Sequence, residues 1–434
     1  MTTFSPMSKP RARSYLLLTM SMMTCLVLLI NVSFKIIQLQ GLMFTASSVV
    51  CPLVAIIYLI VLKDCTIIQQ RHVLNQSLLA LYLFSVGIYL LVNLPAAEYM
   101  HDNPAYQIVF EDIPRKFFAS TLAFGLGFYI PHLLCCAKRK EVLLSPKKRL
   151  LLALFGGFFF FTLDFFLLFS EPHAHSFNRI YLDSLMVAAG ILFTAGVIYL
   201  CCLLFTRHIN WAYSKSLPDY LSSALYHYLV GFAVIIMLIC LACEYRLVSF
   251  SNGGTLAASG LLFPLTIMVS NLIGELYGYK ANLRLTVVLI LTELVFDLLL
   301  MGAVALPSPE FFNLNPFYSF IVPRRIPAST LALVVTFVSN AMLLEHLKKT
   351  NLGCSRSWRI LIANFVATSL LCLVNYSLLF GGIYPYEQIF NLTINGWVFK
   401  LGATLLGLPI VLWLYNLFYK QAQCQFSQIK RLSH

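Results

Sequence analysis

Charge is scarce in this sequence: Asp, Glu, Lys and Arg make up 11% of its 434 residues, against 59% hydrophobic. A soluble globular domain carries about 25% charged residues, so that class is excluded. Catalytic signatures are missing too. There is no GxxxxGK[ST] phosphate loop, no HExxH zinc site, and no nucleophile with a base in or near the apolar runs, so neither an enzyme nor a bound cofactor is expected. ATP coupling would need a second chain. Twelve cysteines lie mostly inside apolar runs, and the CxxC of Cys240 and Cys243 lacks the second pair that structural zinc requires. No metal site is expected. His173 and His175 fall in a loop and read as solvated.

What the sequence has is apolar length. Runs of about twenty residues recur from end to end, the length needed to cross a bilayer as helix. They are too long for barrel strands, and inside lipid only helices or closed barrels satisfy the backbone. The expected fold is therefore an all-α integral membrane protein. Its twelve transmembrane helices are expected at 14–38, 42–62, 73–95, 115–137, 148–170, 180–205, 221–248, 254–278, 282–306, 322–346, 357–383 and 391–419. The first run follows basic residues like a signal peptide, but it is too long for a cleaved segment and reads as an anchor.

The net charge of +13 is distributed as a membrane protein distributes it. With the N-terminus placed in the cytoplasm and the spans alternating, 22 of the 30 basic residues fall on one side, among them Lys138, Arg139, Lys140, Lys348 and Lys349. Acids such as Glu98, Asp102, Glu111 and Glu310 fall on the other. This positive-inside pattern predicts a multi-pass protein with both termini cytoplasmic. No basic stretch is long or aromatic enough for a nucleic-acid groove, so the expected surroundings are lipid.

An internal repeat organises the chain. RKFFASTLAF at 115–124 and RRIPASTLAL at 324–333 share six of ten positions at an offset of 209. ASSVVCPL at 46–53 answers ASGLLFPL at 258–265, and TLDFFLLF at 162–169 answers LVNYSLLF at 373–380, setting Asp164 against Asn375. Two copies of about 210 residues are expected. Each holds six spans, an even number, so the copies are parallel six-helix repeats. The boundaries are a first repeat over 1–206, a polar basic linker over 207–220, a second repeat over 221–420 and a cytoplasmic tail over 421–434.

FPLTIMVSNLIGELYG at 263–278, RRIPASTLALVVTFVSN at 324–340, LVNYSLLFGGIYP at 373–385 and FKLGATLLGLP at 399–409 together resemble the VUT family of six-span queuosine-precursor transporters. The resemblance implies a small-molecule importer of the inner membrane, with a fold similar to the substrate-binding subunits of vitamin-uptake transporters. Members are about half this length, so the chain resembles a fused pair whose first copy is the more worn. Where the family commonly has aspartate, the second half has Asn271, Asn340 and Asn375, and Phe337 stands for a glutamine. The first half keeps Pro52, Arg115, Ser120 and Asp164, but has Ala189 where the second has Lys400.

Residue by residue, Lys400 is the sharpest feature. It lies about ten residues into an apolar span, on the order of 14 Å deep by helical rise, too deep to snorkel, and is expected to face a cavity or a partner. Glu293 and Asp297 are one helical turn apart. They read either as proton-coupling groups or as counter-ions of Lys400. Asn375 and Asp164 sit on the order of 10 Å from the outer surface, at the level of Lys400. An amide or carboxylate plus a lysine complements the donor and acceptor edge of a deazaguanine, so substrate binding is expected from Lys400, Asn375, Asn271, Asn340, Asp164, Arg324 and Ser329. Arg324 and Arg325 are also explained by snorkelling from helix ends; their repetition at Arg115 and Lys116, together with Ser329 and Ser120, raises the binding role. Pro264 reads as architectural, and Glu275 as a cytoplasmic cap within reach of Lys280 or Arg284. The alternatives are a non-catalytic scaffold or accessory subunit, and a transporter of a different small solute.

Overall fold

A computed structural model describes residues 12–95, 113–136, 144–169, 177–205, 223–244, 246–249, 254–309, 315–350 and 355–432. The linker at 207–220, His173, His175 and the acids at 98, 102, 111 and 310 lie outside them. Twelve helices among the described residues are long and apolar enough to cross a membrane, as expected. Two units divide the chain, Met1–Leu81 with Arg115–Ser222, and Tyr82–Pro114 with Ser223–His434.

The first unit begins with α1 (Ala12–Val32), then a hairpin of β1 (Ile36–Leu39) and β2 (Leu42–Thr45), α2 (Ser47–Asp64) and the start of α3 (Ile67–Val92). It continues with α4 (Ile113–Cys136), α5 (Pro146–Leu168) and α6 (Phe177–Phe205). A π-helical turn interrupts α4 at Gly125–Tyr129. Helix α2 packs on α1, α5 and α6. Its surroundings are aromatic: Phe124, Phe128, Phe160, Phe161 and Phe165 are all fully buried, with Phe128 edge-on to both Tyr58 and Phe160 at 5.0 and 5.5 Å.

In the second unit α7 (Ala224–Ala242) leads to the hairpin of β3 (Leu247–Ser249) and β4 (Thr255–Ala257). Then follow α8 (Ser259–Tyr277), α9 (Tyr279–Ala305), α10 (Asn315–Lys349), α11 (Arg356–Phe380) and α12 (Tyr386–Leu432). Helix α8 is the hub, touching α7, α9, α10 and α12. Gly278 joins α8 to α9 at φ 83°, a left-handed turn that a side chain would strain. Burial sorts the helices by solvent: 72% of the α7 span is buried but only 22% of the α12 span. The α12 surface exposes Leu405, Leu406, Ile410 and Trp413, an apolar face suited to lipid.

The hairpins differ from the sequence reading, which ran the first two helices to 38 and from 42. Ile36 and Ile37 pair with Thr45 and Phe44, and Gln38 with Met43, around a turn in which Gln40 and Gly41 both have positive φ. Apolarity alone did not distinguish this strand from helix; the β-branched pair and the turn residues decide it. Each hairpin is closed by the same kind of bond, Ala46 N to Lys35 O at 2.8 Å and Ala258 N to Arg246 O at 2.7 Å. Pro52 and Pro264 are each the sixth residue of the helix that follows, both buried. Helix α12 continues to Leu432, through the segment expected as a tail.

Candidate functional site

At the hairpin end of the second unit, five helices leave a cavity of about 30 Å³, space for about two waters. Its polar lining comes from the α7 end (Cys240, Glu244), α8 (Ser259), α10 (Ser329), α11 (Asn375, Tyr376) and α12 (Lys400); Phe263 and Leu371 are among its apolar walls. The sequence places these groups by helical spacing. Asn375 and Tyr376 reach the cavity from α11, whose next turn, Leu379 and Phe380, packs in a core with Leu247 and Ala257 of the hairpin. Gly396 precedes Lys400 by one turn of α12, and a Cβ there would stand 2.7 Å from the Tyr376 Oη. Its absence lets the tyrosine lie against α12, where Lys400 Nζ donates to Tyr376 Oη at 3.0 Å and to Cys372 Sγ at 3.4 Å. The ammonium also lies 4.6 Å from the Tyr376 ring centroid.

The acceptor side of the cavity is Glu244. Its Oε1 accepts from Asn375 Nδ2 at 3.0 Å and its Oε2 from Ser329 Oγ at 3.4 Å. Asn375 Oδ1, also buried, accepts no hydrogen bond among the described residues. Lys400 therefore donates to neutral groups and not to a carboxylate, which differs from the expected pairing with Glu293 or Asp297. Asp297 is instead held by Arg325, whose Nε donates to Oδ2 at 3.2 Å and whose Nη2 donates to Oδ1. Arg325 is 3% exposed, so snorkelling does not describe it. The reason is packing: α9 and α10 lie together, and the turn that leaves Arg324 half-buried faces Arg325 inward onto α9.

Of the residues expected to bind substrate, the structure brings Lys400, Asn375 and Ser329 into one cavity. Lys400 is the fifteenth residue of α12, which starts at Tyr386 and not near 391, so it lies on the order of 20 Å along the helix. Asn271 and Asn340 lie elsewhere, in a buried amide cluster. Asn271 Nδ2 donates to Asn364 Oδ1, Asn340 Nδ2 to Asn271 Oδ1 at 3.0 Å and to Ser270 Oγ at 3.2 Å, and Ser270 Oγ to Asn282 Oδ1 at 2.8 Å. That cluster ties together α8, α9, α10 and α11, as buried amides do when each finds a partner. Arg324 Nη1 donates to the Gly381 carbonyl at 3.4 Å. Asp164 belongs to the first unit, where Oδ1 accepts from Ser120 Oγ at 2.8 Å and Oδ2 is unbonded. Glu293 and Asp297 are fully buried one turn apart on α9. Glu275 meets Lys348, Arg356 and Arg359 at 3.5 to 3.6 Å, not Lys280 or Arg284. Sequence reading missed Glu244 and Tyr376. Glu244 lies near the end of the span expected over 221–248, where an acid so close to a helix end carries little signal; its one trace is the CEYR at 243–246.

Polar groups around a cavity inside helices with apolar outer faces mark an integral membrane protein that keeps a polar pocket among its helices. Residues 257–414 match the family model described as "Putative vitamin uptake transporter". The matched stretch is just over a third of the chain, and there this second half is similar to that VUT family. The match contains Ser329, Asn375 and Lys400 but stops short of α7 and Glu244. No curated protein and no solved structure matches the chain.

Proposed function

We propose that the protein imports a queuosine precursor, or a related nucleobase-like molecule, across the inner membrane, with both termini cytoplasmic. The observation that carries this reading is the pairing of chemistries in one cavity: the Lys400 ammonium, and the acceptors Glu244 and Asn375. A 7-deazaguanine offers two adjacent N–H donors beside a carbonyl. A carboxylate takes the donors, an ammonium takes the carbonyl, and Phe263 supplies an apolar wall for the ring. A cavity of about 30 Å³ is too small for a bicyclic ring, which enters only as the helices part. The test is uptake of labelled 7-cyano-7-deazaguanine into cells that cannot make it. Appearance of queuosine in their tRNA is expected. Its absence at normal protein levels sinks the substrate assignment.

The two halves are read as parallel copies with division of labour. In support, helix, hairpin and five helices follow one another in both, and the sequence offset of 209 to 212 runs throughout. At that offset Phe161, Phe165 and Ala189 of the first half stand for Cys372, Tyr376 and Lys400 of the second, so aromatic rings fill the first half where polar groups line the second. The first copy is then structural, and Asp164→Asn is expected to leave uptake within about twofold, since its hydrogen bond is worth roughly 1 kcal/mol to the fold. An uptake assay at matched membrane levels checks this; a tenfold loss would assign binding to the first copy.

A further inference from the structure

Three buried carboxylates, Glu244, Glu293 and Asp297, surround a single guanidinium, that of Arg325, and they are not treated alike. Asp297 is held by two nitrogens of Arg325, whose third, Nη1, donates to the Leu241 carbonyl at the end of α7 at 2.9 Å. Glu244 receives Asn375 and Ser329. Among the described residues neither oxygen of Glu293 has a hydrogen bond. The Ser329 hydroxyl is near it, but its proton is committed to the Arg325 carbonyl at 2.9 Å or to Glu244. The groups facing Glu293 are Asp297 on its own helix, Arg325 and Ser329 from α10, and Glu244 from the end of α7. Lys400 is engaged with Tyr376 and Cys372.

A carboxylate buried mid-helix with no donor is among the costliest groups a membrane protein can hold, while the neutral acid is not. We propose that Glu293 is the proton site of a solute–proton symporter, carrying a proton in the state seen here. The proposal rests on the transport reading above and adds its energy source. Ser329 is the hydroxyl between the two acids. If it accepts the Glu293 proton at Oγ while passing its own to Glu244 Oε2, one proton moves to the cavity and no other bond changes. Loss of the proton leaves an anion that competes with Asp297 for Arg325. Because Arg325 also anchors the α7 end through Leu241, this competition loosens the wall that carries Glu244 and gives the cavity two arrangements that protonation selects between.

The experiment uses purified protein in liposomes with labelled 7-cyano-7-deazaguanine. Counterflow, the exchange of label for trapped unlabelled solute, needs binding and movement but no net proton. With an alkaline lumen, the wild type is expected to accumulate label above the outside concentration. Glu293→Gln is expected to keep counterflow and lose that accumulation entirely. Wild-type accumulation indifferent to the gradient, or a Glu293→Gln protein that still responds to it, overturns the proposal and leaves transport standing. Absence of wild-type counterflow sinks the substrate instead. The proton site is then judged by infrared spectroscopy of the purified protein, where a protonated-carboxyl C=O band at neutral pH should vanish in Glu293→Gln. A wild type without that band, or a variant that keeps it, overturns the assignment whatever the solute.

Discussion

Lys400→Ala is expected to lower uptake at sub-saturating solute by roughly 10- to 100-fold, the equivalent of one charge-assisted hydrogen bond of about 1.5–3 kcal/mol. The protein should still reach the membrane at its normal level. Among the described residues Nζ donates only to Tyr376 Oη and Cys372 Sγ, and removing a buried ammonium strands no carboxylate. Lys400→Arg should not rescue, because the guanidinium fork needs more room than a cavity of about 30 Å³ provides and delivers its donors in a different geometry. Uptake assayed over a range of solute concentrations, with protein quantified in the same membranes, measures the effect. Full activity of the alanine variant would remove Lys400 from the site and favour the scaffold reading.

Arg325→Leu should be the most damaging substitution for stability. It leaves Asp297 buried without its two donors, takes the neighbouring positive charge from Glu244 and Glu293, and frees the Leu241 carbonyl. Removing one partner of such a buried pair costs about 3–5 kcal/mol. Low membrane yield and a lowered melting temperature in detergent are expected. The double variant Arg325→Leu with Asp297→Leu should recover most of the loss, because apolar side chains replace the pair at far smaller cost. A single variant that melts with the wild type would show that Asp297 does not depend on Arg325.

Much of this was legible in the order of residues. The number of helices follows from solvent: runs of some twenty apolar residues leave the backbone no alternative to helix, whatever packs beside them. Lys400, Asn375 and Ser329 were legible for the same reason, since a polar group inside such a run must face a cavity or a partner. Partner choice was not legible. Glu293 and Asp297 look equivalent along the chain, and Lys400 was the cation set against them. Only the packing of α10 on α9 gives Asp297 to Arg325 and leaves Glu293 with none. The three asparagines at 271, 340 and 375 look like one set of altered acids. Two of them close an amide cluster across α8 to α11, while Asn375 alone meets Glu244.

The sequence by itself determined the solvent, the twelve helices and the lysine inside an apolar run, because each is a property of one segment's composition and its fit to lipid. Tertiary structure alone decided the arrival of Glu244 from the end of α7 at the cavity wall beside Asn375, and which buried charge is paired. Those depend on distances of a few ångströms between segments 28 to 131 residues apart, and no local pattern of residues encodes them.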